Sequence, residues 1–327
     1  MVDVAVTAER LGFHAVWTTE FYNRSAIVTM AALAAATTRI GIGSGIAWAF
    51  GRTPLTLATD VRSIDDLCPG RLSLGLGTGN PMVIADWHGL SAPHPVARMK
   101  ELIGLLRDIW QMHERPVAHD GRFYRCHLPA DPELPPLSRD TIPVLFAGGR
   151  PTMIRATGAV ADGLVGHPLS TRMYVETLIR PTLVEGAKLA DRTDTVPITG
   201  MIICAVDDDA TKARRAVAMQ VAAYATRPSS DAVLNFHSFA DETTEIRNAF
   251  ARKDFGAMTA AVSDRMLDVL TVYGTPDEAR QRYAENFGGL YETPMFYSPE
   301  TGLPVEFLRD NLYAICETFA PNQEGRP

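Results

Sequence analysis

Cysteine is scarce in this sequence of 327 residues, and no C-x-x-C pair occurs. The four thiols lie far apart, at Cys68, Cys126, Cys204 and Cys316. This spacing excludes a disulfide scaffold and is typical of a reducing compartment, so we expect a cytoplasmic protein. No apolar run approaches the roughly 18 residues that a membrane span needs, and we expect no membrane association. Asp3, Glu9 and Arg10 interrupt the apolar start, which does not resemble a signal peptide.

Positive charge is also in short supply. Lys and Arg total 31 against 38 Asp and Glu, a formal net charge of −7, and no run of five or six basic residues is present. We therefore expect no nucleic-acid partner. The sequence lacks G-x-S-x-G and H-E-x-x-H, and His113, His119 and His127 fit no zinc spacing. We expect neither a metal site nor covalent catalysis.

What the sequence does contain is a repeated alternation of strand and helix. After a first helix at residues 2–11, β-branched and aromatic runs predict seven strands, six of which a helical segment follows. The predicted strands are Phe13–Thr18, Arg39–Ala47, Leu72–Leu76, Pro143–Ala147, Gly163–Val165, Ile198–Val206 and Tyr291–Tyr297. Such alternation is typical of a parallel sheet in an α/β fold. We predict one domain over residues 1–327, with a polar, Pro-rich insertion at about 113–140 that contains one hairpin, and a helical insertion at about 207–270.

Glu20 is the first candidate functional residue. It follows the strand Phe13–Thr18 and would lie at the carboxyl rim of a barrel, where barrel active sites are built. A carboxylate there can hold an N–H group or transfer a proton, although a solvated loop acid is an equally simple interpretation. His167 follows the strand ending at Val165 and occupies the same kind of rim position.

Two glycine clusters end predicted strands, one at 41–45 and one at 75–80. Both suggest a dinucleotide site, but the Rossmann fingerprint needs a glycine at the sixth position and a helix that starts at once. Asn80 holds the sixth position of the second cluster, and we predict the next helix only after His94. The glycines are better explained by close strand packing and tight turns.

Several segments resemble the bacterial luciferase-like monooxygenase superfamily in order and spacing. They are GFHAVWTTEFYNR, TRIGIGSGIAWAFGRTPLTLA, GRLSLGLGTGN, PVLFAGGRP and YGTPDEA. Within the superfamily the sequence is most similar to the branch that depends on the deazaflavin coenzyme F420 and includes methylenetetrahydromethanopterin reductase. The segment Phe250–Ala279 resembles that reductase's own helical insertion and is more specific than any glycine motif.

The resemblance implies a TIM (β/α)₈ barrel of the bacterial luciferase-like type, with F420 at the carboxyl ends of the strands. It also implies a non-prolyl cis peptide within Ser44–Ile46, in a bulge behind the deazaflavin ring. Three short segments match residues that contact the cofactor in the family. They are Ser44, Gly45 and Ile46; Thr78, Gly79 and Asn80; and the small-residue turn Ala147, Gly148 and Gly149.

Two departures from the family pattern stand out. Phe21 occupies the position where the reductase and the related sugar-phosphate dehydrogenase have histidine, which leaves Glu20 as the candidate catalytic acid or base. Phe21, Trp48 and His167 are candidate substrate contacts. The family's first strand has no counterpart, so we expect a gap between the first and last strands. Either the true N-terminus lies upstream of Met1 or the gap is filled by other means.

The resemblance implies hydride transfer between F420 and a small organic substrate, in an enzyme that forms a homodimer. An FMN-dependent monooxygenase on the same barrel is the alternative enzyme, with FMN as the alternative cofactor. A catalytically idle flavin-binding or assembly protein is the alternative from another class, because a fold does not fix a function.

Overall fold

A parallel sheet forms the centre of the molecule in the computed structural model, which describes residues 1–80 and 82–321. The sheet has nine strands in the order β1-β2-β4-β7-β8-β9-β10, with β3 on β4 and β11 on β9. Their bounds are β1 Ala15–Thr18, β2 Gly41–Ser44, β3 Ala47–Trp48, β4 Leu72–Gly77, β7 Val144–Ala147, β8 Gly163–Val165, β9 Ile198–Val206, β10 Thr271–Gly274 and β11 Thr293–Tyr297. A separate antiparallel hairpin pairs β5 Val117–Asp120 with β6 Arg125–Leu128. The predicted parallel α/β fold and the hairpin in the first insertion are confirmed.

The helices cover the outside of the curled sheet. The α-helices are α1 Val2–Arg10, α2 Ala26–Ala36, α3 Pro54–Leu67, α4 Pro95–Trp110, α5 Pro151–Val160, α6 Arg172–Tyr174, α7 Arg180–Leu189, α8 Ala210–Ala225, α9 Asp231–Phe236, α10 Ala240–Ala251, α11 Phe255–Ala260, α12 Asp264–Leu270, α13 Pro276–Asn286 and α14 Val305–Thr318. Local sequence fixes several starts: Ser25 and Thr53 accept hydrogen bonds from N–H groups of the first turns of α2 and α3, and Thr275 and Glu278 form a capping box on α13.

The predicted count of seven strands is wrong. Residues 271–274 form β10, which pairs with β9 and which we did not predict, because TVYG follows helix α12 without any turn residue. The predicted strand Arg39–Ala47 is also not continuous: it divides into β2 and β3 on either side of Gly45 and Ile46. The carbonyl of Thr18 accepts the N–H of Gly45, which draws this bulge toward β1.

The helix that we expected only after His94 is preceded by a short helical segment. A π-helical turn spans Val83–Trp87, at the carboxyl end of β4. The Oδ1 atom of Asn80 accepts the backbone N–H of Val83 at 2.9 Å and so supports the start of this turn, a contact that the sequence reasoning overlooked. The segment brings Trp87 and His88 to the rim of the sheet.

The sheet formed by residues 1–80 and 82–321 does not close into a complete barrel. Within the described residues, β1 pairs only with β2 and β11 only with β9, so their free edges do not hydrogen-bond to each other. Between them lies a groove of about 660 Å³, lined mainly by α1, β1, β11 and α14. The predicted gap is therefore confirmed, and apolar side chains of the two helices line it.

Two large apolar clusters hold the fold together. One packs β2, β4 and β7 against α2, α3 and α4, and the other packs β9 and β10 against α8 to α12. The helical segment at about 207–270 therefore covers the sheet with its buried side chains. Among the described residues, no helix is long and apolar enough to cross a bilayer.

Candidate active site

The candidate site lies at the carboxyl ends of the parallel strands, where β2 breaks into a bulge. The peptide bond between Gly45 and Ile46 is cis, which confirms the backbone prediction for Ser44–Ile46. The Ser44 hydroxyl is buried and bridges to Gly75, accepting its N–H at 3.0 Å and donating to its carbonyl at 2.9 Å. This side chain therefore fixes the end of β2 against β4, and the bulge begins at the next residue, Gly45.

Two of the predicted cofactor-binding segments meet inside the sheet. Ile46 and Ala147 pack on one apolar cluster whose buried members are Leu145, Val165, Met201 and Met295. The end of β4 is equally close, because a Cβ atom at Gly77 would come within 2.8 Å of Ile46 Cδ1. Gly148 packs against Met153, whereas a Cβ atom at Gly149 would enter open space. The bulge, the end of β4 and the turn after β7 thus border one region.

The third predicted segment, Thr78 to Asn80, turns away from β4 toward the π-helical turn. Thr78 donates its hydroxyl hydrogen to the carbonyl of Gly79, and Gly79 has the positive φ of +65° that this turn needs. The side chain of Asn80 accepts the N–H of Val83, as described above. These contacts shape the loop and occupy the Asn80 oxygen.

Glu20 lies beside this region, and both of its carboxylate oxygens are engaged. Arg52 donates from Nη2 to Oε1 at 2.6 Å and from Nη1 to Oε2 at 2.9 Å. The backbone N–H of Trp48 also donates to Oε2, at 2.8 Å. The two side chains are only 7% and 19% exposed for Glu20 and Arg52, and hydrogen bonding to Glu20 is the main cause that raises the pKa of Arg52. The Glu20 side chain is therefore held in one position at the rim.

Sequence reasoning missed Arg52 and His88, which line the same cavity of about 450 Å³ as Glu20 and Phe21. Arg52 lies inside a segment that carries the family resemblance, but nothing in its local pattern marks it as the partner of Glu20. His88 stacks edge-on against Trp48, with ring centroids 4.7 Å apart. Its Nε2 atom is buried and has no hydrogen-bond partner in the described part of the chain.

Aromatic rings form one wall of that cavity, which we call the aromatic wall. Its members are Phe21, Tyr22, Trp48, Trp87 and His88. Trp87 connects them, with ring centroids 5.2 Å from Phe21, 5.4 Å from Tyr22 and 5.6 Å from Trp48. Two of the predicted substrate contacts, Phe21 and Trp48, are therefore brought together, next to Glu20. Such a surface suits a flat or apolar ligand.

The third predicted substrate contact, His167, lies at the same end of the sheet, where the carboxyl ends of the strands surround an opening that we call the mouth. It is on the β8 side of this opening, separated from β4 by β7. It follows β8, and its ring meets Tyr224 of α8 edge to face at a centroid distance of 5.6 Å. Tyr224 lies 6.5 Å from Tyr297, whose hydroxyl reaches Gln220 and Glu300 at 3.4 Å each. This side of the mouth is consequently polar, in contrast to the aromatic wall.

No group of three or more His, Cys, Asp or Glu side chains in residues 1–80 and 82–321 is arranged to hold a metal ion. What the geometry defines is an open parallel α/β barrel whose candidate site lies at the strand carboxyl ends. The site combines a backbone bulge, small-residue turns and an aromatic wall. It can hold a flat organic cofactor beside a small substrate.

Residues 1–292 match the family described as luciferase-like monooxygenase, and the chain belongs to that family. It is 31% identical over 288 residues to the 5,10-methylenetetrahydromethanopterin reductase of Methanolobus tindarius, covering 86% of this chain and 84% of the relative. The reductase of the same name from Archaeoglobus fulgidus is 28% identical over 287 residues, with 85% and 83% covered. The predicted family resemblance is confirmed.

The fold is shared with the coenzyme F420 dependent tetrahydromethanopterin reductase of Methanopyrus kandleri. That structure superimposes with a TM-score of 0.78 at 22% identity and covers 97% of this chain and 93% of the other. The predicted luciferase-like barrel is confirmed by this likeness.

Proposed function

We propose that the protein is an F420-dependent oxidoreductase that transfers a hydride between the deazaflavin and a small organic substrate. The observation that carries the proposal is the convergence of three segments on one region. These are the bulge at Gly45 and Ile46, the end of β4 at Gly77 and the turn that begins at Ala147. The bulge and the turn belong to segments that the family resemblance assigns to the cofactor, and Gly77 directly precedes the third such segment, Thr78 to Asn80. The Methanopyrus kandleri structure that shares the fold is named as coenzyme F420 dependent, which supports the same cofactor.

The residues present fit a flat tricyclic ring. Such a ring needs a surface of backbone and small side chains on which it can lie flat. Gly45 has no side chain to project toward Met295, and a Cβ atom added at Gly149 would have no protein atom within 4 Å. Ile46 supplies an apolar contact behind the bulge. We propose Ser44 to Ile46, Thr78 to Asn80 and Ala147 to Gly149 as the cofactor-binding segments.

F420, when bound, supplies or accepts the hydride. The chain's own groups position the reactants and exclude water from them. We assign the aromatic wall to the apolar part of the substrate, with Phe21 and Trp48 as contacts, and His167 to the polar side of the mouth. Glu20 remains the candidate acid or base, held by Arg52 at a fixed place beside Trp48. We further propose a cytoplasmic homodimer, from the thiol pattern and the family resemblance.

The test is to titrate the purified protein with F420 and, separately, with FMN, following the fluorescence quenching of each cofactor. We expect F420 to bind more tightly than FMN. Tighter binding of FMN, together with oxygen consumption when a flavin reductase is added, would replace the proposal with the monooxygenase alternative. Tight binding of either cofactor without turnover on any panel of carbonyl, imine and alcohol compounds would favour the idle flavin-binding alternative.

A further inference from the structure

The backbone holds His167 in one orientation at the end of β8. The preceding residue, Gly166, donates its N–H to the carbonyl of Thr199 in β9 at 2.8 Å. The carbonyl of His167 accepts the N–H of Ser170 at 2.9 Å, which closes a tight turn. Within this turn the N–H of Leu169 points at the imidazole and donates to Nδ1 at 3.2 Å. The orientation of the imidazole ring is therefore fixed by main-chain groups, which do not titrate.

This hydrogen bond determines which ring nitrogen carries the proton. A nitrogen that accepts from a backbone N–H cannot carry hydrogen itself, so the neutral ring must have its hydrogen on Nε2. Burial, together with the positive charge of Arg227, lowers the pKa of His167 to about 4. The groups that face the ring are the Tyr224 phenol and the Arg227 guanidinium, which lies over the Tyr224 ring at 5.2 Å. Neither favours an imidazolium.

The Nε2–H group has no hydrogen-bond partner among the residues that the structure describes. The ring is half-buried at the carboxyl end of β8 and retains accessible surface. Because this N–H group keeps access to solvent, a bound molecule can take the place of water as its hydrogen-bond partner. Because the neutral imidazole offers only a donor here, its natural partner is an oxygen atom.

We propose that His167 is a substrate-positioning residue, a neutral Nε2–H donor to the oxygen of a carbonyl compound or of the corresponding alcohol. The inference rests on the proposed function and names the substrate class for that same site. The ring gives up no proton in this role. The hydride that F420 would supply adds to the carbonyl carbon, the π electrons of the C=O bond move to the oxygen, and the proton that this oxygen then takes would come from Glu20 or from water. The ring orients the oxygen, and it strengthens its hydrogen bond as negative charge grows on that oxygen during hydride transfer.

The first experiment measures the tautomer directly. Protein labelled with ¹⁵N-histidine is studied by long-range ¹H–¹⁵N correlation between pH 8 and pH 5.5, with the eight histidines assigned by comparison with His167→Gln. If that variant does not fold, assignment proceeds through the backbone of the wild type. We expect His167 to stay neutral throughout, with hydrogen on Nε2. A ring with hydrogen on Nδ1, or an imidazolium at pH 5.5, overturns the proposal whether or not a cofactor binds.

The second experiment measures the contact with an oxygen, using cyclohexanone as the carbonyl probe on protein loaded with F420. We expect cyclohexanone to shift the Nε2 resonance of His167, and His167→Phe to bind it about 3- to 10-fold more weakly, the range of one neutral hydrogen bond. His167→Gln, which keeps an N–H donor, should recover most of that binding. His127→Phe, on the exposed hairpin, is the matched control.

The outcomes separate the two proposals. F420 affinity, measured by fluorescence quenching, should be the same in wild type, His167→Phe and His127→Phe. If the wild type binds neither F420 nor FMN, the proposed function fails, and the positioning role fails with it even where the tautomer is as expected. If F420 binds and His167→Phe takes up cyclohexanone as well as wild type does, only the role of His167 is refuted.

Discussion

The ion pair between Glu20 and Arg52 provides the sharpest test of the candidate site. Glu20→Gln keeps the size of the side chain and an oxygen acceptor for the N–H of Trp48, but removes the nearer of two negative charges that face Arg52, leaving Asp60 at 3.8 Å. If Glu20 acts as acid or base, turnover should fall by about 10² or more while cofactor affinity changes little. The assay is the loss or gain of F420 absorbance at saturating substrate, beside the quenching titration.

The structure also sets the expected cost in stability. Hydrogen bonds to charged groups contribute about 1.5–3 kcal/mol each, and removing one member of a buried ion pair costs about 3–5 kcal/mol. Because Arg52 retains 19% exposure, water can partly replace the lost partner. We therefore expect Glu20→Gln, which leaves Arg52 without this partner, to lower the free energy of unfolding by about 2–3 kcal/mol, as measured by urea denaturation followed by tryptophan fluorescence.

A double-mutant cycle separates the two roles of Glu20. The double variant Glu20→Gln with Arg52→Gln should be less destabilised than the sum of the single variants. When both side chains are replaced, neither member of the ion pair is left as a charge without its partner. A catalytic Glu20 makes turnover in Glu20→Gln fall much further than in Arg52→Gln. Equal losses of turnover in the two single variants, in proportion to their losses of stability, would refute the acid–base role and leave Glu20 as an anchor for Arg52.

Three further changes have predictable outcomes. Glu9 accepts backbone N–H groups of Thr38, Arg39 and Ile40, which lower its pKa from 4.5 to about 2, so its stabilisation is complete above pH 4.5 and is lost as the pH falls toward 2. Glu9→Gln should cost about 1–2 kcal/mol at pH 7, allowing for solvent screening, and should flatten the acid limb of a melting-temperature profile; an unchanged limb would contradict this. Gly149→Val should weaken F420 binding measured by quenching, whereas Gly104→Ala, whose added methyl also meets open space but lies in helix α4, should not. Asn311→Leu should lower the free energy of unfolding in urea by about 2–4 kcal/mol, because it leaves the N–H of Val206 and the carbonyl of Cys204 without the partners that Asn311 provides; a loss below about 1 kcal/mol would show that water replaces them.

The sequence predicted the elements whose signals are local. The nine residues of β9 are all buried and read as one apolar run, and Pro54 with Thr53 marks the start of α3. The sequence did not predict β10, because its four residues directly follow a helix and are too few to show the periodicity of a strand. The break at Gly45 and Ile46 could not come from strand propensity, since glycine also occupies positions 41 and 43 and no local signal singles out Gly45, and only the family resemblance indicated it.

The candidate site was likewise predictable from the sequence only in part. Rim positions such as Glu20 and His167 follow from the rule that barrel sites lie at strand carboxyl ends. Their partners do not, because the contact of Glu20 with Arg52 depends on how the loop after β3 folds back across 32 positions. The placement of Trp87 and His88 likewise depends in part on a hydrogen bond that Asn80 accepts. Such contacts depend on how segments distant in sequence pack together, which a local sequence pattern does not show.

The unequal pairing of the strands bears on how the fold opens. β9 divides its length among three neighbours, pairing with β8 near Ile198, with β11 from Thr199 to Ile203 and with β10 from Ile203 to Val206. β1 and β11, by contrast, each present a free edge to the groove. Amide exchange should therefore be slowest in β9 and fastest along the two free edges, because local opening there breaks the fewest hydrogen bonds. The edges of β1 and β11 that face the groove should be the first part of the sheet to exchange amides with solvent, whereas β2 and β4 should remain protected.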